Sequence, residues 1–448
     1  MTVFDRDSAP ALAAAFGVNA AQPDVALAGP EAAPLLDKAR AGRELSAEEG
    51  ARLFDATGAE LGPLFAVADQ LRREAVGGTV TYVVNRNINF TNVCVKHCGF
   101  CAFSRGHRAD EGYFLPEEEV VRRAQEAWVL GASEVCVQAG LAPGLEGWHY
   151  VKVLQAIKAA LPEIHVHGFS PEEVLYGAER ADVTVEHYLR ALQDAGIGSL
   201  PGTSAEILDD RVRDRISPGR IRTAQWLDLI GTAHRLGIRT TSTMMYGHLE
   251  TSLEKARHLV LLRELQKETG GFTEFVPLGF IFDEAPMWQG KRRPEGLRSG
   301  PSGIETLKIY AVARILLHGW IPNIQVSWVK EGLKLAQIGL LTGANDLGGT
   351  LINESISTAA GAQHGQLQRP HRLRALAREM GRVPAERDTL YRHRRVFGDP
   401  AQDAADPLDT IPDGDPRFGS YHELTRQKTF RFKERLASTG VESQQSVE

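Results

Sequence analysis

Cys94, Cys98 and Cys101 stand in the run Cys94-Val-Lys-His-Cys98-Gly-Phe-Cys101, three thiols within eight residues of a chain that holds four cysteines. Thiolates are the usual ligands of iron–sulfur clusters. Three of them on a cubane of four irons leave one iron without a protein ligand, able to hold a small molecule. A closed structural site would use every position. Two plainer readings stand beside this one. His97 lies inside the loop and could complete a zinc site with the three thiols, or the loop could hold no metal. A disulfide is disfavoured, because nothing marks the chain as secreted and cytosolic thiols stay reduced. The fourth cysteine, Cys136, is isolated in the apolar run 134–138 and reads as a small buried hydrophobe.

Such a loop needs a rigid frame. Residues 79–85 are β-branched and aromatic, a strand. Further strand candidates follow at 134–138, 164–168, 197–200, 240–246, 275–278 and 324–327, and the Gly-rich run 343–349 closes the series. Helical patterns separate them at 115–130, 150–160, 184–195, 222–235, 252–269, 303–318 and 331–339. Strand, helix, strand repeats imply parallel pairing. Eight repeats in ~270 residues predict an α/β protein with a (β/α)8 TIM-type barrel at 77–350. A doubly wound open sheet is the runner-up. Before the barrel, 31–76 reads as short helices, with Ser46 and Glu49 spaced as a capping box. Residues 1–30 read as disordered. After it, 351–448 reads as a helical extension, with helices expected at 370–381, 385–397 and 421–436 and a disordered tail.

In a parallel barrel, chemistry sits at the C-terminal ends of the strands. The unusual polar residues of this chain fall there. Gln138, Ala139 and Gly140 follow the second strand. His165 and His167, two apart and so on one face, lie on the third, which leads into Ser170. Thr203 and Glu206 follow the fourth, Tyr246 and His248 end the fifth, and the seventh delivers Gln325, Ser327, Trp328 and Lys330. Asn345 sits in the last loop. Each has a plain structural alternative: barrel hydrogen bonds for the histidines, helix capping for Glu206, core filling for Trp328.

The bulk properties narrow the class. Of 448 residues, 51 are basic and 57 acidic, a net charge of −6, which argues against general nucleic-acid binding. The Arg excess at 369–395 reads as a solvated face. No apolar stretch approaches the ~20 residues that span a bilayer, and the first residues lack the basic start of a signal peptide. A cytoplasmic protein with no membrane and no nucleic-acid partner is expected.

A cysteine loop of this spacing at the mouth of a parallel barrel resembles the radical S-adenosylmethionine (SAM) superfamily. The resemblance narrows through Cys98-Gly-Phe-Cys-Ala-Phe-Ser-Arg105, His165-Val-His-Gly-Phe-Ser-Pro-Glu172, Pro201-Gly-Thr-Ser-Ala-Glu-Ile-Leu208, Thr241-Ser-Thr-Met-Met-Tyr-Gly-His248 and Phe275-Val-Pro-Leu-Gly-Phe280. These look most like the CofH family, tyrosine-dependent 4-hydroxyphenyl transferases of deazaflavin (Fo) synthesis, and the likeness covers roughly 45–380. The related menaquinone enzymes of the futalosine pathway tend to carry Gly-Gly-Gly-Ala-Glu where this chain has Gly202-Thr-Ser-Ala-Glu206.

The resemblance implies that Cys94, Cys98 and Cys101 hold a [4Fe-4S] cluster whose free iron is chelated by SAM. It implies that Phe100, Gln138, Ala139, Gly140, Ser170 and Glu206 lie along that cofactor. The segment at 138–140 is commonly Gly-Gly-rich in relatives, and Ala139 departs from that. The substrates would be L-tyrosine and 5-amino-6-(D-ribitylamino)uracil, with 2-iminoacetate, 5′-deoxyadenosine and methionine released. His165, His167, Thr203, Tyr246, His248, Gln325, Ser327, Trp328 and Asn345 are the expected substrate contacts. One cluster motif implies one half-reaction, completed by a separate CofG-like protein, with an external electron donor. The alternatives are a futalosine-pathway enzyme and, from another class, a zinc- or cluster-stabilised module without catalysis.

Overall fold

The computed structural model describes residues 23–411 and 417–433, with Ala11, Ala13, Ala14 and Val18. Disorder was expected over 1–30 and in the last dozen residues; most of these lie outside that set, but within 23–30 the chain forms a 3-10 turn at Val25–Ala28 and begins helix Gly29–Arg40.

The first barrel position is one strand broken at Val84 into β1 (Thr79–Val83) and β2 (Asn85–Ile88). A six-stranded parallel sheet then runs β2, β3 (Glu134–Val137), β4 (His165–Gly168), β5 (Ser199–Leu200), β6 (Arg239–Tyr246) and β7 (Phe272–Gly279). The seventh position is reduced to single bridges, Phe275 to Ile324 and Gln325 to Asp346. The last strand, β8 (Asp346–Gly349), pairs with β1, and an Arg86–Ile352 bridge returns the ring to β2. Eight parallel positions thus close the predicted α/β barrel.

The alternation of strand side chains sets what faces where. On β3, Val135 and Val137 point outward and are fully buried under helices. Glu134 and Cys136 point inward, as do His165 and His167 of β4. The interior is therefore polar at its floor and the apolar core lies between strands and helices. Helices Glu117–Val129, His149–Ala160, Val185–Asp194, Thr223–Arg235, Ser252–Thr269 and Gly303–Leu317 form the outer layer, within a residue or two of expectation. Two more, Pro171–Arg180 and Asp210–Ile216, were not evident from periodicity. In front of the barrel, helix Ala47–Phe54 starts at the expected capping box. Ser46 Oγ accepts from Glu49 N at 3.2 Å and Glu49 Oε2 from Ser46 N at 2.7 Å.

The C-terminal region departs from the helical reading. Pro370–Glu379 is a helix, but 385–397 is largely strand. Here β9 (Val383–Arg387) pairs in parallel with β1, and β10 (His393–Val396) pairs antiparallel with β9. The free lower edge of β1 recruits this segment, and strand pairing outweighs its weak local propensity. The next turn seals the floor: Arg387 pairs with Asp346 at 2.6 Å, Thr389 Oγ1 donates to Glu134 at 2.7 Å and Tyr391 OH donates to Glu274.

Candidate active site

The mouth of the barrel holds a cavity of about 250 Å³. Cys94, Cys98 and Cys101 line one wall, with Phe100 between them. The loop that carries them is pinned by backbone bonds to three other elements. Val95 N donates to Leu141 O at 2.8 Å, Gly99 N to Ile216 O at 2.8 Å, and Met287 N to Gly99 O at 2.7 Å. Asn92 ties its base, accepting from Tyr113 N at 2.9 Å and donating to Glu111 O at 3.0 Å. Burial pushes the Cys98 thiol up to about 12, against the pull of the Arg220 guanidinium beside it. His97 is exposed and does not line the cavity. Among the described residues no three His, Cys, Asp or Glu groups gather closely enough to hold a single metal ion.

Gln138, Ala139, Gly140, Ser170, Thr203 and Glu206 line the same cavity. Gly140 touches the cysteine loop directly: a Cβ there would stand 2.3 Å from Val93 O. Ser170 caps helix Pro171–Arg180 in a capping box with Glu173. The other oxygen of that carboxylate accepts from Ala139 N at 2.9 Å, so one side chain holds two strand ends in register. Burial lifts Glu173 to about 7. Thr203 donates to Gln138 Oε1 at 3.1 Å.

The segment after β5 is bent through left-handed backbone at Ser204 (φ 64°) and Glu206 (φ 40°). Each such residue costs about 1–2 kcal/mol. Buried Arg213 holds the turn by donating to Ser204 O at 3.0 Å and Ala205 O at 2.5 Å. The bend brings Ser204 and Glu206 onto Arg220, a residue with no motif around it. Arg220 donates to Glu172 Oε2 at 3.1 Å, Glu206 Oε1 at 2.9 Å and Ser204 Oγ at 2.5 Å. It also reaches Cys98 Sγ at 3.6 Å and lies 6.0 Å from the Phe100 ring centre. Arg220, Glu172 and Ser204 were missed because they converge from different loops. Glu206 Oε2 is buried without a hydrogen-bond partner.

The other expected substrate residues do not line this cavity. His165 and His167 both bond Ser199 Oγ, at 2.7 Å each, lower in the barrel. Burial holds His167 down at about 4, hence neutral. Tyr246 bonds Thr306 and Glu331 behind the barrel wall. His248 folds back onto Met245 O. Ser327 stands at the start of helix Trp328–Gly339 without a side-chain cap, and Trp328 donates to Gly349 O at 3.0 Å. Gln325 packs against Gly348. Asn345 precedes β8 and so lies at the opposite end of the barrel, accepting from Arg314 and from Ile324 N. The sequence reading put it in the last loop, within the Gly-rich run 343–349, whose second half is β8 in the structure. Cys136, expected as a small buried hydrophobe, is half-buried on the inward face of β3, and its thiol, pushed up to about 12 by burial, accepts from Gln138 Nε2 at 3.4 Å.

A barrel with three cysteines on one pinned loop at its mouth is the arrangement of a radical SAM enzyme. The radical SAM superfamily model matches residues 88–262, and a model of the CofH/MqnC C-terminal region matches 269–399. Among solved structures the chain resembles the FeFe-hydrogenase maturase HydG from Carboxydothermus hydrogenoformans (TM-score 0.62, 16% identical, 86% of this chain and 85% of that one). It also resembles methylornithine synthase PylB (TM-score 0.52, 17% identical, 75% and 88%). At that identity the likeness is one of fold. Sequence relatives are much nearer. The 5-amino-6-(D-ribitylamino)uracil–L-tyrosine 4-hydroxyphenyl transferase of Methanothermobacter thermautotrophicus is 48% identical over 349 residues, 78% of this chain and 94% of that protein. Transferase 1 of the same description from Methanosarcina mazei is 51% identical over 329 residues, 73% and 86%. The chain belongs to this transferase family.

Proposed function

We propose that the chain joins the 4-hydroxybenzyl group of L-tyrosine to 5-amino-6-(D-ribitylamino)uracil, using a [4Fe-4S] cluster and SAM, as one step of Fo synthesis. The observation that carries the reading is 48% identity spread over nearly the whole of a relative of that name. The cavity supports it. Three thiols, with no histidine or fourth cysteine among the described residues lining the cavity, and the partnerless Oε2 of Glu206 fit a cluster with one position left for a polar, amino-acid-bearing cofactor.

Bound there, the cluster and SAM would supply the radical chemistry of hydrogen abstraction. The chain's own residues do the rest. Cys94, Cys98 and Cys101 would hold three irons. Gln138, Ala139, Gly140, Ser170, Ser204 and Glu206 would hold SAM, with Arg220 fixing Glu206 and Ser204. Phe100, Phe103, Leu278 and Phe280 present apolar surface that excludes water from the reacting atoms. The hydroxyl oxygens of Thr203 and Thr243, which donate to Gln138 Oε1 and Gly202 O, would remain as acceptors for the substrates in the cavity wall. An external donor would supply the electron, and a CofG-like protein would close the third ring. No helix among the described residues is long and apolar enough to cross a membrane, which is compatible with a cytoplasmic site for this step.

Anaerobically reconstituted protein, incubated with dithionite, SAM, tyrosine and the uracil, is expected to yield a tyrosine-dependent adduct and 5′-deoxyadenosine. Deoxyadenosine without adduct would overturn the transfer reading, and turnover of a futalosine-pathway substrate instead would move the chain to the menaquinone branch. Zinc without iron in the purified protein would overturn the cofactor reading.

A further inference from the structure

Three cations line the cavity: Lys96, Arg220 and Lys330. Two are balanced by protein. Lys96 stands 3.5 Å from Glu172, and Arg220 is held by Glu172 and Glu206. Lys330 has no carboxylate within 4.0 Å and makes no side-chain hydrogen bond among the described residues. Its backbone N–H is committed to Ser327 O at 3.0 Å. The carboxylate that acts most strongly on it, Glu354, spends its oxygens on Ser357 N at 2.9 and 3.2 Å and on Thr358 N at 3.3 Å.

Lys330 is placed there by backbone geometry. It follows the seventh barrel position, where active-site residues of such barrels emerge. Two residues on, Gly332 breaks the helix with φ 76° beneath the ring of His364. That break fixes the direction of the short turn carrying Lys330. Burial lowers the Lys330 ammonium from its ordinary range, with Glu354, Glu331 and Cys101 opposing. A half-buried cation without a protein partner is unfavourable, and an anionic ligand in the cavity would relieve the cost.

We propose that Lys330 is the residue that binds the α-carboxylate of the amino-acid substrate and so sets which side of the substrate faces the cysteine loop. This rests on the tyrosine reading above. The uracil carries no carboxylate, the carboxylate of SAM would be taken by the iron that it chelates, and the cations nearer the thiols are already neutralised, which leaves Lys330 for tyrosine.

The test compares tyrosine with tyramine, which lacks only the carboxylate, on the reconstituted enzyme with SAM bound. Binding is followed by calorimetry, with KM for each substrate measured separately. Wild type should bind tyrosine at least tenfold tighter than tyramine. In Lys330→Met the tyrosine Kd and KM should rise 10- to 100-fold, while tyramine binding and the KM for the uracil stay within threefold. Lys330→Arg should restore most of the preference. Equal weakening of tyrosine and tyramine in K330M, or an effect confined to the uracil, would overturn the proposal. So would a wild type that does not discriminate, a result that needs no variant to fold. Failure of the wild type to bind tyrosine at all would overturn the transfer reading itself, and this proposal with it.

Discussion

Arg220 concentrates the electrostatics of the site in one side chain. Its fork satisfies Glu172, Glu206 and Ser204 at once, and its planar face lies over Phe100. Removing it leaves two enclosed carboxylates without their main counter-charge. Arg220→Met is therefore expected to lower stability by about 3–5 kcal/mol in chemical denaturation. Arg220→Lys, which keeps charge but loses the fork, should fall between. A second residue-scale expectation concerns pH. Burial lifts Glu331 to about 8, although Tyr310 and Tyr246 donate to it. In the unfolded chain it ionises near 4.5, so its contribution to stability is complete below pH 4.5 and is lost as pH rises to 8. Glu331→Gln should remove one proton from that slope, about 1.4 kcal/mol per pH unit in unfolding free energy. The histidines act at the other end. His167, held near 4 against 6.5 unfolded, contributes fully above pH 6.5, and its contribution fades as pH falls through 6.5 to about 4.

At the scale of elements, the site depends on backbones that approach closer than any side chain permits. Gly140 abuts the backbone at Val93, one residue from Cys94. A methyl group at 2.3 Å from a carbonyl oxygen cannot be absorbed by a side-chain rotation, so the cysteine loop itself must shift. Gly140→Ala is expected to cost about 1–3 kcal/mol and to reduce the iron bound per chain after reconstitution. Gly62→Ala is the control: nothing lies within 4 Å of a Cβ there, its helix Leu61–Val76 is regular, and iron content should not change. The left-handed turn at Ser204 and Glu206 follows the same logic, with Arg213 restraining a bend that the local sequence does not favour.

For the whole molecule, the C-terminal region completes the barrel. Arg387 fills the floor between Asp346 and Glu274, and the last described segment packs on the outer side of the cysteine loop. There Phe114 N donates to Phe430 O at 2.7 Å, and Phe103 lies 5.7 Å from the Tyr421 ring centre. Arg387→Met should destabilise by about 3–5 kcal/mol by stranding Asp346. The double variant with Asp346→Asn should recover a measurable part of that loss in a mutant cycle. Deleting the chain from 417 onward should leave the barrel folded by circular dichroism but lower iron retention, because one support of the loop is gone.

Local chemistry was enough to read much of this protein. The C-x-x-x-C-x-x-C spacing, the alternation of helical and strand periods and the Ser46–Glu49 cap each depend on neighbours within a few residues, so the barrel and its family were legible. The floor and the site's charge balance were not. Arg220, Lys330 and Arg387 carry no local signature; each matters because of what the closed ring sets opposite it. The 383–396 segment became strand because β1 offered an edge, and Asn345 moved to the far end because the ring needed an eighth strand. Period and spacing act along the chain, whereas charge pairing and edge pairing act across space, and only the folded barrel brings the second kind together.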